Sequence, residues 1–316
     1  MRVVVIGAGM AGAACAAELH RAGHAVTVLE KGRSAGGRLA QRRVEGFVFD
    51  HGAQYMKVRD PAFRIEVEAW SAAGAAAPWP GADAGGEAAW LGVPSMSAPV
   101  KALLAGSALC TGVRAAVLRR EGPDWCVVDE FGAVAARAPM LVLAVPAPQA
   151  ATLLARADDP AATALGAALT EVVMAPCWAG LLGFAGRLGL GLESRRMAEE
   201  ALAWIARNTA KPGRGGLESW TAHATPAWSR PRLELPAGEV AAELLRTFAA
   251  LAGGRLPPVR HLAAHRWRYA LVERPLGQPF LADRPAGLAL CGDWCLGPRV
   301  EAAWQSGSAL GRALVE

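Results

Sequence analysis

Lysine is nearly absent from this chain: 316 residues carry four, Lys31, Lys57, Lys101 and Lys211. Positive charge comes from arginines scattered along the sequence, so a formal net charge of +5 makes no basic run, which argues against nucleic acid as a partner. A mildly basic surface of this kind suits small phosphate-bearing molecules better. Six cysteines, Cys15, Cys110, Cys126, Cys177, Cys291 and Cys295, lack the dense spacing of a secreted disulfide scaffold, and reduced thiols are expected. Cys291 and Cys295 are spaced C-x3-C, not C-x2-C, so they are a weak candidate for a redox disulfide or metal half-site, and no metal is expected. No apolar run reaches the roughly 18 to 20 residues of a spanning helix, because Gly, Pro and Arg interrupt every Ala/Leu-rich stretch, so no membrane is expected. The apolar run after Met1-Arg2 is too short for a signal-peptide core, and a cytoplasmic location is the expectation.

The composition present is that of a folded protein, with 53% hydrophobic and 19% charged residues, and the length suggests two domains or one with a large insertion. Arg2 to Ile6 reads as a strand, Met10 to Arg21 as a helix and Ala25 to Glu30 as a second strand, which together make a βαβ unit. Further strands are expected over 44–49, 125–128, 140–145 and 287–291, and helices over 239–251 and 300–314. Residues 150–285, with strands around Trp220, Trp228 and Trp267, read as a separate domain. The Ala/Gly/Pro-rich segment 74–99 is expected to join it.

Gly7-Ala8-Gly9-Met10-Ala11-Gly12 lies between the first strand and the helix, the context in which G-x-G-x-x-G signifies dinucleotide binding. Gly7 makes the turn, Gly9 admits a pyrophosphate, Gly12 lets helix and strand pack, and the helix N-terminus faces the phosphates. Glu30, eighteen residues after Gly12, is placed to accept from both hydroxyls of an adenosine ribose, which disfavours a 2′-phosphate there. Gly36-Gly37-Arg38 follows, and a guanidinium beside glycine amides suits a pyrophosphate or the flavin end of FAD. Phe49-Asp50-His51-Gly52-Ala53-Gln54-Tyr55 is a turn that can lie against a flat ring; the alternative for His51 is a hydrogen-bonded strand end. Near the C-terminus, Cys291-Gly292-Asp293 ends a buried strand, and Gly297-Pro298-Arg299 leads into a helix starting at Val300. Asp293 is a candidate for a ribityl hydroxyl or a water on the pyrophosphate, and the start of that helix for the flavin pyrimidine oxygen.

With these residues in view the chain resembles the renalase family of monoamine-oxidase-like flavoproteins. The resemblance rests on Gly7 to Gly12, on Gly36-Gly37-Arg38-Leu39, on Phe49 to Tyr55, on Arg59-Asp60-Pro61-Ala62-Phe63 and on Cys291-Gly292-Asp293-Trp294 with Arg299-Val300-Glu301. It implies an α/β fold: a Rossmann-like FAD-binding domain with a mainly parallel sheet, and a discontinuous α+β substrate domain of p-hydroxybenzoate-hydroxylase/amine-oxidase-like architecture. The expected division is 1–74, 100–150 and 286–316 for FAD, and 75–99 and 151–285 for substrate. Non-covalent FAD would be held by Gly7, Ala8, Gly9, Met10, Ala11, Gly12, Glu30, Lys31, Gly37, Arg38, Leu39, His51, Gly52, Ala53, Gln54, Tyr55, Val113, Asp293, Arg299 and Val300, with Val113 touching the adenine and Val300 near the flavin. Ala206 to Thr209, Thr221 to Ala224 and His265-Arg266-Trp267 resemble cavity-lining stretches, which makes Asn208, His223 and Trp294 the candidate catalytic residues. By residue type alone His223 reads equally as a hydrogen-bonded structural histidine, and Trp294 and Trp267 as core. The implied activity is oxidation of 2- and 6-dihydro-NAD(P) to NAD(P)+, with hydride going to flavin and O2 becoming hydrogen peroxide. An amine oxidase is disfavoured by the lack of a suitably placed lysine and by having only Tyr55 and Tyr269 for an aromatic cage, and a desaturase by the lack of a basic amphipathic helix. A non-catalytic flavin sensor switched by Cys291 and Cys295 is the other alternative.

Overall fold

The computed structural model describes residues 1–197 and 201–316. The chain forms two compact units, one from Met1–Gly37, Pro99–Met174 and Val272–Glu316, the other from Arg38–Ala98 and Ala175–Leu271.

The first unit is built on a six-stranded sheet in the order 281–283, 288–290, 140–143, 2–6, 25–30, 108–111. All pairings are parallel except that of 281–283 with 288–290. The central strands Arg2–Ile6 and Met140–Leu143 are near-continuous apolar runs, as burial on both faces of a parallel sheet requires. The helix Met10–Arg21 is rich in Ala and Gly, which lets Val300–Ala313 pack closely on it: a Cβ on Gly307 would meet the Ala11 backbone. A three-stranded antiparallel sheet, 115–121, 124–129 and 134–138, completes the unit, with Trp125 in the shared core.

The second unit has a five-stranded sheet in the order 194–196, 202–207, 219–224, 173–184, 259–274. One face packs Trp178, Leu182, Trp220 and Ala222 against Val240, Leu244 and Phe248 of the helix Ala237–Leu251. On the opposite face, Leu181 meets Phe47 and Phe49.

The βαβ start and both late helices stand where the sequence places them. The strand expected over 44–49 is instead a hairpin, Gln41–Val44 with Phe47–Asp50, because Glu45 and Gly46 both take positive φ (48° and 82°) and form a two-residue turn. Trp228 lies on the short helix Pro226–Ser229, capped by the Thr225 hydroxyl, not on a strand. Residues 38–74, expected in the cofactor domain, pack in the second unit through that hairpin. Residues 151–174 and 272–285 pack in the first, where Leu153, Leu154, Val272 and Leu281 join its core. Among the described residues no helix is long and apolar enough to cross a membrane, and no group of three or more His, Cys, Asp and Glu could hold a metal.

Candidate functional site

In the first unit the glycine motif forms a tight cradle. Gly7 has φ 108°, and a Cβ there would stand 2.5 Å from the Ala144 carbonyl oxygen; a Cβ on Gly12 would collide with the Gly7 carbonyl. A Cβ on Gly9 would meet nothing within 4 Å, so that position opens onto free space. The helix Met10–Arg21 begins with no side-chain cap and no acid in its first turn, which leaves its N-terminal amides for an anion. Glu30 is buried, its Oε2 accepting from the Ala8 amide at 3.0 Å and its Oε1 from the Gly32 amide at 2.7 Å. A carboxylate has about four acceptor positions, so two remain for a diol. The Gly36 amide donates to the Ala8 carbonyl at 2.9 Å, drawing the second glycine pair onto the first.

Val113 continues the edge of the sheet beside Glu30, its amide donating to the Glu30 carbonyl at 3.0 Å. Lys31 is exposed and gives a 3.3 Å hydrogen bond to Gln149; burial of its ammonium and the nearby Arg114 charge lower its pKa. Asp293 opens a 3-10 turn ahead of Arg299 and Val300, where Val300–Ala313 also starts without a side-chain cap. Trp294 is fully buried in the apolar core and donates its indole N–H to the Val145 carbonyl at 3.0 Å. That bond braces the turn that follows strand 288–290. Burial pushes the Cys295 thiol up to about 12, and Cys291, beside the buried Cys15, is also raised, so neither offers a ready thiolate.

In the second unit the turn 50–55 is anchored by charge. Asp50 is fully buried, and its Oδ2 accepts from Lys211 Nζ at 3.1 Å and from Arg214 Nε and Nη2 at 3.1 and 2.9 Å. Burial alone would raise the Asp50 carboxyl, but the two cations outweigh it and hold it below its ordinary value. Burial brings Lys211 down to about 8, against the pull of Asp50. Lys211 also donates to Gln54 Oε1 at 2.9 Å, while Gln54 Nε2 donates to the carbonyls of Asp50 and Gly52 at 2.6 and 2.9 Å. Arg38 accepts the Ala53 amide on its carbonyl at 2.8 Å and donates Nη1 to the Ala270 carbonyl at 3.2 Å; Leu39 beside it is buried. Nothing in the sequence reading singled out Lys211 or Arg214. The signal available was a lone lysine, in a lysine-poor chain, three residues after Asn208.

Asn208 is fully buried: its Oδ1 accepts from the Asp50 amide and its Nδ2 donates to Thr221 Oγ1, both at 3.0 Å. Its amide pins the turn at Asp50. His223 is half-buried, with Nε2 3.1 Å from the His51 carbonyl, which also accepts the Trp267 indole N–H at 2.8 Å. A carbonyl only accepts, so Nε2 carries the proton and Nδ1 of His223 is left as an acceptor. His51 stacks on Trp267 (5.3 Å between centroids) and meets His265 edge-on (4.6 Å). Burial first of all brings His51, His223 and His265 each down to about 4, so all three are neutral imidazoles at physiological pH. His51 Nδ1 and Trp204 Nε1 are buried without a hydrogen-bond partner. Tyr55 lies against Trp204 at 5.4 Å and accepts a 2.6 Å hydrogen bond from Arg196.

Residues 5–65 match the NAD(P)-binding Rossmann-like domain family. Over 60 residues the chain is 45% identical to a 4,4'-diapophytoene desaturase (4,4'-diaponeurosporene-forming) of Staphylococcus haemolyticus and 43% identical to that of Staphylococcus aureus. The stretch is 19% of this chain and spans 12% of the length of those relatives. Among solved structures, a candidate protoporphyrinogen oxidase from Exiguobacterium has a TM-score of 0.75 at 14% identity, covering 99% of this chain and 98% of that one. Cyclohexylamine oxidase from Brevibacterium oxydans gives 0.69 at 12% identity with coverage of 99% and 98%. An oxidoreductase from Methanosarcina mazei gives 0.68 at 13%, covering 98% and 99%. The chain therefore has a Rossmann-like dinucleotide-binding start and, over nearly its full length, an amine-oxidase-like fold.

Proposed function

We propose that the protein is an FAD-dependent oxidase of isomeric dihydro-NAD(P), returning the 2- and 6-dihydro forms to NAD(P)+. The residues present fit FAD. The open face of Gly9, the uncapped start of Met10–Arg21 and the two spare acceptor positions of Glu30 suit a pyrophosphate followed by an adenosine ribose. Within the first unit, Gly7 to Gly12, Glu30, Lys31, Gly37, Val113, Asp293, Arg299 and Val300 would hold it. FAD supplies the two-electron acceptor for hydride and the route by which O2 becomes hydrogen peroxide.

The observation that carries the substrate reading is the trio of neutral imidazoles, His51, His223 and His265, two of them half-buried, with no carboxylate among the described residues hydrogen-bonded to any of them. Oxidising a dihydropyridine restores aromaticity and needs no strong base, so the protein's work is to orient the ring. His223 Nδ1 offers an acceptor suited to a carboxamide N–H. Asn208 and Trp294 act at one remove, as positioning residues.

A second reading, an amine oxidase or desaturase, is favoured by the 60 residues that match a desaturase and by the fold similar to that of cyclohexylamine oxidase. Anaerobic stopped-flow mixing of the flavoprotein with 2- and 6-dihydro-NAD(P), ordinary NADH and benzylamine separates the readings. Bleaching by the isomers supports the proposal; bleaching by the amine alone supports the second reading, and bleaching by none a sensor.

A further inference from the structure

A row of side chains crosses one face of the second unit's sheet. The register pairs Arg196 with Trp204, Trp204 with His223, and His223 with Ala179. Their alternate neighbours, Ile205 and Ala222, go to the helix-packed core, so the row lies on the opposite face. At one end His223 hydrogen-bonds the His51 carbonyl. At the other, Arg196 is fixed in an unusual way: its guanidinium lies over the Trp204 ring at 5.5 Å and gives one Nη2 hydrogen to the Tyr55 hydroxyl at 2.6 Å.

No carboxylate among the described residues pairs with that guanidinium. Asp83 accepts the Arg196 backbone amide on Oδ2 at 2.7 Å, and Glu193 Oε2 takes the Trp79 indole N–H at 2.9 Å. Arg196 is thus an exposed cation held in place by two aromatic residues, and among the described residues only the Tyr55 hydroxyl takes a hydrogen from its five-donor fork. Beneath it, Trp204 is 5% exposed and its indole N–H is buried without an acceptor. A braced, exposed guanidinium with donors to spare suits an oxyanion.

We propose that Arg196 is the specificity-determining residue of this site, and that it selects electron donors carrying a phosphate. This rests on the dihydro-NAD(P) reading and names the part of that substrate the site recognises: the pyrophosphate at Arg196, with the ring two strands away at His223, about 10 Å at the usual strand spacing. The same cation repels an ammonium entering between Tyr55 and Trp204, so the pair is no cage for an amine.

The test is titration of the FAD-loaded protein with non-reacting probes, NAD+, NADP+, inorganic pyrophosphate and nicotinamide riboside, followed by calorimetry, for the wild type, Arg196→Met and Arg196→Lys. Arg196→Met is expected to weaken NAD+ and pyrophosphate tenfold or more and the riboside less than twofold, with Arg196→Lys between, because it keeps the charge and loses the fork. A larger loss for NADP+ than for NAD+ moves the contact to the 2′-phosphate and overturns the pyrophosphate assignment. Equal binding by wild type and Arg196→Met, or wild-type binding of the riboside as tight as that of NAD+, overturns the proposal. Arg196 is exposed, so circular dichroism and melting temperature should match the wild type. If the variants differ as expected and no dihydro isomer bleaches the flavin, the activity reading fails and the phosphate site stands; bleaching with indifference to Arg196 gives the reverse.

Discussion

Asp50→Asn tests the charge cluster under the turn 50–55. The wild-type carboxylate faces two cations, and all three side chains are completely buried. Asparagine keeps the shape and removes the negative charge that Lys211 and Arg214 share, at the oxygen that accepts three of their hydrogen bonds. Removing one partner of a buried ion pair costs about 3–5 kcal/mol. At roughly 1.5 °C per kcal/mol for a chain of this size, the melting temperature falls by about 5–8 °C. The pH dependence gives a second readout. Lys211 titrates at about 8 in the folded protein against 10.5 as a free side chain. Between those values the unfolded chain binds the proton and the folded one does not, so stability from this group rises with pH from about 8 to 10.5 and is flat below. Without Asp50 the folded value drops further, and the rising limb extends down into the neutral range. Urea unfolding followed by tryptophan fluorescence from pH 6 to 10 measures both effects. A loss under 1 kcal/mol, or a pH profile parallel to the wild type, refutes the electrostatic account of this cluster.

Gly9→Val is expected to leave the apoprotein folded and abolish FAD retention, whereas Gly12→Val, which drives a side chain into the Gly7 carbonyl, destabilises the apoprotein itself; thermal melts with and without added FAD distinguish them. Asn208→Ala removes two buried hydrogen bonds and should cost about 1–3 kcal/mol in urea unfolding, a loss that also shows in the apoprotein. His223→Ala should instead act mainly on kcat/KM for the dihydro isomers, and an unchanged value removes it from the site. The three histidines lowered from 6.5 to about 4 stay neutral in the fold while the unfolded chain protonates, so their contribution to stability is lost as pH falls from about 6.5 to 4 and is flat below. Accordingly, kcat should show no histidine inflection between pH 5 and 8; one near 6.5 would mean that these imidazoles are solvated.

The dinucleotide cradle was legible because its signal is local: Gly7 and Gly12 answer to backbone within a few residues or to one neighbouring strand, Gly9 stands open between them, and Glu30 ends the adjacent strand. The roles of Asn208 and Trp294 were not. A polar amide and an indole near the motifs of a flavoprotein look alike whether they face a ligand or the backbone, and only the fold shows the Asp50 amide donating to Asn208 and the Val145 carbonyl accepting from Trp294. The Asp50–Lys211–Arg214 cluster joins positions more than 150 residues apart, and no periodicity carries that information. The turn at Glu45-Gly46 was hidden inside an apolar run that reads as one strand; a positive φ at a glutamate is a tertiary outcome.

The order of strands in the first unit bears on how the protein is made. The strand 288–290 pairs with 140–143, and Val300–Ala313 covers the small-residue face of Met10–Arg21, so segments nearly 300 residues apart close one core. A ribosome that has translated as far as residue 280 holds a glycine-rich cradle whose helix lacks its covering partner and whose sheet lacks strand 288–290. The nascent chain thus leaves the small-residue face of its first helix uncovered through most of synthesis, and the core of this unit closes only after the helix Val300–Ala313 emerges.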